Sequence, residues 1–187
     1  MCWGGGRRMT NRFDPDVHHR RSIRLKGYDY SKAGAYFVTV VAYRRECLFG
    51  EVVDGEMVLN DFGIIVAEKW QWLENQYSYV LSGMSAVMPN HFHGIMMIDF
   101  DGRGGSRTAP TGSVKRKPLG RLIGAFKTVS TKQINVMRNT PGIPVWQRNY
   151  YERIIRDERE MDRIHRYIES NPSQWAEDND NPANLPV

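Results

Sequence analysis

Cysteine is scarce in this chain. Two occur in 187 residues, Cys2 and Cys47, with no Cys-x-x-Cys pattern. A disulfide framework or a cysteine-held zinc site is therefore not expected, and a reducing cytoplasm fits best. No apolar run approaches the roughly 20 residues that cross a bilayer, and the first forty residues hold no signal-peptide apolar stretch. The expectation is one soluble globular domain with no membrane partner. Internal repeats are missing, as are a Gly-rich phosphate loop and the additional His/Asp repeats that metallo-hydrolase sites need. Low complexity is confined to two places. Met1 to about Asn11 is Gly- and Arg-rich and reads as disordered, with Met9 as an alternative start, and Asp99 to Lys117 shifts to Gly, Ser, Thr and Arg.

What is plentiful is positive charge. Lys and Arg number 26 against 21 Asp and Glu, a formal net charge of +5, with a pI near 9.3. That balance leans toward a polyanionic partner. The basic residues are grouped: Arg20, Arg21, Arg24 and Lys26 near the start, then Lys115, Arg116, Lys117, Arg121 and Lys127. A third group holds Arg148, Arg153, Arg156, Arg159, Arg163 and Arg166. Any one group also reads as solvated surface; three of them flanking candidate site segments favour a phosphate backbone.

Periodicity gives the element order. Tyr36 to Tyr43 is β-branched and aromatic, a central strand. Val52-Val53 and Met57-Val58-Leu59 flank Asp54-Gly55, a tight hairpin. Asn60 or Asp61 caps a helix with Phe62, Ile65, Val66, Trp70, Leu73 and Tyr77 on one face. Val80 to Met88 and Phe92 to Ile98 form two strands joined around Pro89-Asn90. Pro118 opens a helix faced by Leu119, Leu122, Ile123, Phe126, Val129, Ile134 and Met137. Val145 to Ile155 contains a strand, and Asp157 caps a last helix with Met161, Ile164 and Ile168 inside. The fold class predicted is α+β: a ferredoxin-like antiparallel sheet (βαββαβ) with an inserted hairpin and an added C-terminal helix. In domain terms, 1–25 is a flexible basic segment, 26–175 the domain with its loop at 99–117, and 176–187 a tail.

The residues with the most chemistry are His91 and His93. A strand alternates its faces, so the two imidazoles project together and Phe92 opposite, about 6 to 7 Å apart along the strand and able to share one divalent cation. On the last helix, at 100° per residue, Tyr167 and Asn171 lie on the arc of Ile164 and Ile168, toward the sheet. Pro172 biases Asn171 away from helical geometry, making it the last helical residue at best. Two nitrogen ligands, the Asn171 amide oxygen and the Tyr167 phenol form a set suited to cutting a phosphodiester. About three positions then remain for phosphate and water, which suits Mg²⁺ or Mn²⁺. Each piece also has a plain structural reading: a buried histidine pair, a rim tyrosine, a helix-stopping Asn-Pro. Trp146 and Trp175 read most simply as packing residues.

Met88-Pro89-Asn90-His91-Phe92-His93-Gly94 resembles the histidine–hydrophobic–histidine motif of single-tyrosine HUH transposases. Trp146-Gln147-Arg148-Asn149-Tyr150-Tyr151-Glu152, followed by Tyr167-Ile168-Glu169-Ser170-Asn171-Pro172, is similar to the REP-associated tyrosine transposase branch. The resemblance covers roughly Arg20 to Trp175. It implies a ferredoxin-like catalytic domain, a divalent metal on His91 and His93, and Tyr167 as nucleophile linked to a 5′ phosphate. The substrate it implies is single-stranded DNA near short imperfect hairpins, handled by a monomer or homodimer in a prokaryotic cytoplasm, associated with the nucleoid. One departure stands out: the residue four after the tyrosine is commonly Gln in mobile relatives and is Asn171 here, the same oxygen on a shorter arm. A catalytically idle hairpin-binding DNA or RNA module on the same fold is the alternative, and a hydrolase of small phosphoesters ranks last.

Overall fold

The structure is a computed structural model describing residues 29, 30, 32–98, 116–178 and 180–184. Strand β1 (Gly34–Val41) lies in the middle of a four-stranded antiparallel sheet, as its run of Tyr, Phe, Val and Thr requires. It pairs with β5 (His91–Ile98) on one side and β6 (Tyr151–Ile155) on the other, and β4 (Val80–Val87) completes the order β4-β5-β1-β6. Strands β2 (Gly50–Val53) and β3 (Glu56–Leu59) form a separate hairpin. Its turn residues Asp54 and Gly55 have φ of 52° and 80°, the left-handed pair that a two-residue hairpin turn demands.

Three helices cover the sheet. Helix α1 (Asp61–Gln76) begins where the Asn60 side chain accepts from the Phe62 and Gly63 backbone N–H groups. Helix α2 (Leu119–Met137) begins after Pro118, and α3 (Glu158–Ser170) after Asp157, which accepts from Glu160 N at 2.8 Å.

The sheet has two unlike faces. Tyr36, Val38 and Val40 of β1 with Phe92, Met96 and Ile98 of β5 pack against Ile65, Val66, Trp70 and Leu73 of α1 and Leu122, Ile123 and Phe126 of α2, forming the main core. Trp70 sits 4.8 Å from Phe92 and 5.5 Å from Phe126, ring centre to ring centre. On the opposite face Phe37, Ile95 and Ile155 meet Ile164 and Ile168 of α3 in a smaller cluster. Helix α3 is thus alone on its side of the sheet.

Two expectations shift. The Val145 to Ile155 strand begins only at Tyr151, because Val145 and Trp146 turn inward instead. The buried Trp146 indole donates to Ser130 Oγ at 2.9 Å, and only a single bridge, Ala42 with Trp146, joins that segment to the sheet edge. This indole also redraws the α2 face. Ser130 and Asn135 are buried there, Asn135 donating to Ile143 O at 2.8 Å, while Met137 is exposed.

Candidate active site

Alternation along β5 places His91 and His93 on the α3 face, with ring centres 4.5 Å apart and both side chains buried. The same alternation sends Phe92 into the main core. Gly94 follows because space runs out: a Cβ there would stand 2.7 Å from Trp70 Cζ2 and from Phe92 Cε1.

Neighbouring groups select the His91 tautomer. The Asn90 side-chain nitrogen donates to Arg45 O at 3.1 Å and Asp180 O at 2.6 Å. Its Oδ1, 2.9 Å from His91 Nδ1, can therefore only accept, so Nδ1 carries the proton. His91 Nε2 is left with its lone pair, buried and without a partner among the described residues. Burial lowers the His91 pKa to about 4; Asp178 and Asn171 oppose that and Arg45 adds to it. His93 is held well below its ordinary value by burial and then by His91. Both rings are neutral near pH 7, the form that ligates metals.

His93 Nδ1 lies 2.9 Å from the Thr39 hydroxyl, which the sheet register puts directly opposite. Its Nε2 faces the Tyr167 hydroxyl at 3.3 Å. Phe37 stands beside both, its ring 5.5 Å from His93 and 5.9 Å from Tyr167.

Helix α3 delivers the phenol. Glu160 ties its first turn to β6 by accepting from Arg153 Nε at 2.5 Å and from Arg156 N at 2.9 Å, and those contacts, the Arg156 N–H first, hold its carboxyl below the usual range. Ile164 and Ile168 then fix the helix roll, leaving Tyr167 42% exposed while Asn171 is 3% exposed. Asn171 keeps helical angles (φ −59°, ψ −43°) although Pro172 follows it, as the chain runs on into a 3-10 stretch, Pro172–Glu177. Burial raises the Tyr167 pKa, as does Asp178, while the Asn171 amide lowers it.

The Asn171 amide thus influences both His91 and Tyr167, yet its Oδ1 has no hydrogen-bond partner of acceptable geometry. A buried lone pair on His91 and a buried orphan amide oxygen are what a missing cation would leave behind. Two nitrogens and one oxygen fit a divalent ion in number and type. Among the described residues no group of three or more His, Cys, Asp and Glu could hold a metal, so the set is complete only with the amide counted. Beside it opens a cleft of about 400 Å³ lined by Phe37, Thr39, His93, Tyr151, Tyr167 and Asp180, among others.

The predicted basic contacts are scattered. Arg20, Arg21, Arg24, Lys26 and Lys115 lie outside the described residues. Lys117 Nζ donates to Tyr77 Oη at 3.2 Å and its backbone N–H to Tyr79 Oη at 2.9 Å. Lys127 is tied to the carbonyls of Gln147 and Arg148, and burial lowers its pKa to about 8. Arg121 and Arg148 are exposed. Neither they nor Arg116, Lys117 and Lys127 line the cleft.

Sequence reasoning missed Thr39, Asn90, Asp178 and Asp180. Thr39 follows from strand register and Asn90 from its place before the histidines. The two aspartates had no periodic pattern to betray them.

No family model matches the chain. An uncharacterized protein of Haemophilus influenzae (strain Rd) is 37% identical over 177 residues, covering 91% of this chain and 97% of that protein. Among solved structures, a REP-associated tyrosine transposase bound to a REP hairpin superposes with a TM-score of 0.51 at 16% identity. The match spans 81% of this chain and 73% of that one. The fold is transposase-like.

Proposed function

We propose that this chain, which belongs to the same family as the Haemophilus influenzae protein, is a metal-dependent transposase that cuts and rejoins single-stranded DNA through Tyr167. We read its sheet and helices as the ferredoxin-like catalytic domain of the single-tyrosine HUH group. The observation that carries the reading is the meeting of Tyr167 Oη with His93 Nε2 at 3.3 Å, beside the partnerless His91 Nε2 and Asn171 Oδ1.

His91, His93 and Asn171 would hold Mg²⁺ or Mn²⁺. Bound there, the cation would draw charge from a non-bridging phosphate oxygen and acidify the phenol. Asn90 and Thr39 keep the two imidazoles oriented. Tyr167, on a helix fixed by Asp157, Glu160, Ile164 and Ile168, presents its oxygen to the cleft. That oxygen forms a bond to phosphorus while the bond from phosphorus to the 3′ oxygen breaks. The phenol loses its proton to solvent in the cleft, and the departing 3′ oxygen gains one. A 5′ phosphotyrosine and a free 3′ hydroxyl result, so a second strand's 3′ hydroxyl can reverse the step without ATP. Tyr167 and the histidines belong to one chain, so the phenol acts in cis. Arg121, Arg148 and the basic residues outside the described set would hold the backbone near an imperfect hairpin.

The experiment is incubation with Mn²⁺ and a hairpin-bearing single-stranded oligonucleotide, followed by denaturing electrophoresis. A shifted protein–DNA band is expected for the wild type and background for Tyr167→Phe. A band that survives Tyr167→Phe removes the tyrosine from the role. Binding with no cleavage under any divalent metal points instead to the idle hairpin-binding module.

A further inference from the structure

The ligand set lacks something. Two neutral imidazoles and one amide bring no negative charge to a divalent cation, whereas Mg²⁺ and Mn²⁺ sites ordinarily include a carboxylate. The segment after α3 brings two carboxylates back to the histidines. Asn90 Nδ2 donates to Asp180 O at 2.6 Å, the Asp180 carboxylate pairs with Arg45, and the Trp175 ring lies 6.0 Å from that of His91. Asp180 lines the cleft with His93 and Tyr167. Its charge is met by Arg45. Asp178 is different: its Oδ1 accepts the Asp180 backbone N–H at 2.6 Å, and no cation pairs with it among the described residues.

We propose that Asp178 is the charge-balancing carboxylate of the cation site, carried there by the 172–184 segment and anchored through Asn90, Arg45 and Trp175. Its electrostatic effect on both His91 and Tyr167 agrees, because a carboxylate felt by the ligand and by the phenol lies on the side where the cation would sit. Asp178 acts on the cation rather than on the scissile phosphate. Before DNA arrives it supplies the charge that the phosphate later contributes. The inference rests on the cation site proposed above.

The test is Mn²⁺ titration of the full chain without DNA, following free Mn²⁺ by electron paramagnetic resonance. Wild type, Asp178→Asn, Asp178→Ser, His91→Ala and the neighbouring exposed Glu177→Gln are compared, with metal-free melting temperatures recorded alongside. Asn and Ser both keep an acceptor for the Asp180 N–H, so the turn has two chances to survive. Loss of the carboxylate should weaken Mn²⁺ binding about 10-fold or more in both variants, with Glu177→Gln within about twofold of wild type. Asp178 variants that bind Mn²⁺ like the wild type, while His91→Ala does not bind, overturn this inference and leave the cation site standing. Binding unaffected by His91→Ala, or absent from the wild type, overturns both.

Discussion

His91 offers a lone pair to the site only because Asn90 takes the other ring nitrogen's proton. Asn90 is fully buried and also bridges Arg45 O and Asp180 O, so Asn90→Ala removes three hydrogen bonds at once. A loss of about 2 to 4 kcal/mol in denaturant unfolding is expected, with weaker Mn²⁺ binding in whatever fraction stays folded. Acid acts on the same ring. The folded state holds His91 near pKa 4, against about 6.5 in an unfolded chain. Below pH 6.5 the unfolded chain therefore takes up a proton that the folded one refuses. Metal-free stability should fall as pH drops from about 6.5 toward 4, by on the order of 3 kcal/mol from this group. Urea midpoints at pH 7.5 and 5 check it, and His91→Phe should flatten the difference.

At the scale of elements, β5 does two jobs by alternation: odd positions carry imidazoles to the cleft and even ones fill the core. Gly94→Ala should show the coupling. Its Cβ would collide with Trp70 and Phe92, costing about 1 to 3 kcal/mol in thermal unfolding even though neither histidine is touched. Helix α3 depends on its first turn, and Asp157→Ala should cost about 1 kcal/mol and slow adduct formation by loosening the element that aims Tyr167. Much of this was legible in the chain. The His-x-His alternation, the Asp54-Gly55 turn, the Asn60 and Asp157 caps and the Ile164/Ile168 stripe each follow from one local rule with a fixed period. The strand expected from Val145 failed because Trp146 found a buried partner, Ser130, on another element; a long-range hydrogen bond leaves no periodic trace. The path of 172–184 was illegible for the same reason, since Asp178 and Asp180 reach the site through contacts with Asn90 and Arg45 far back in the chain.

For the molecule as a whole, the sheet separates labour. Its α1/α2 face supplies the large core that fixes β5 and β1, and the opposite face leaves room for one helix and a cleft. Because α3 packs on its own sheet, the site is assembled within one chain. An equimolar mixture of Tyr167→Phe and His91→Ala chains should therefore form no adduct, whereas exchange of α3 between two chains would restore it. Mass spectrometry of the protein after reaction with Mn²⁺ and a hairpin-bearing oligonucleotide, followed by nuclease and protease digestion, tests the central claim most directly. The account predicts a Mn²⁺-dependent 5′ nucleotide phosphate on the peptide containing Tyr167; a modification on any other residue, or none while the DNA is cut, would contradict it.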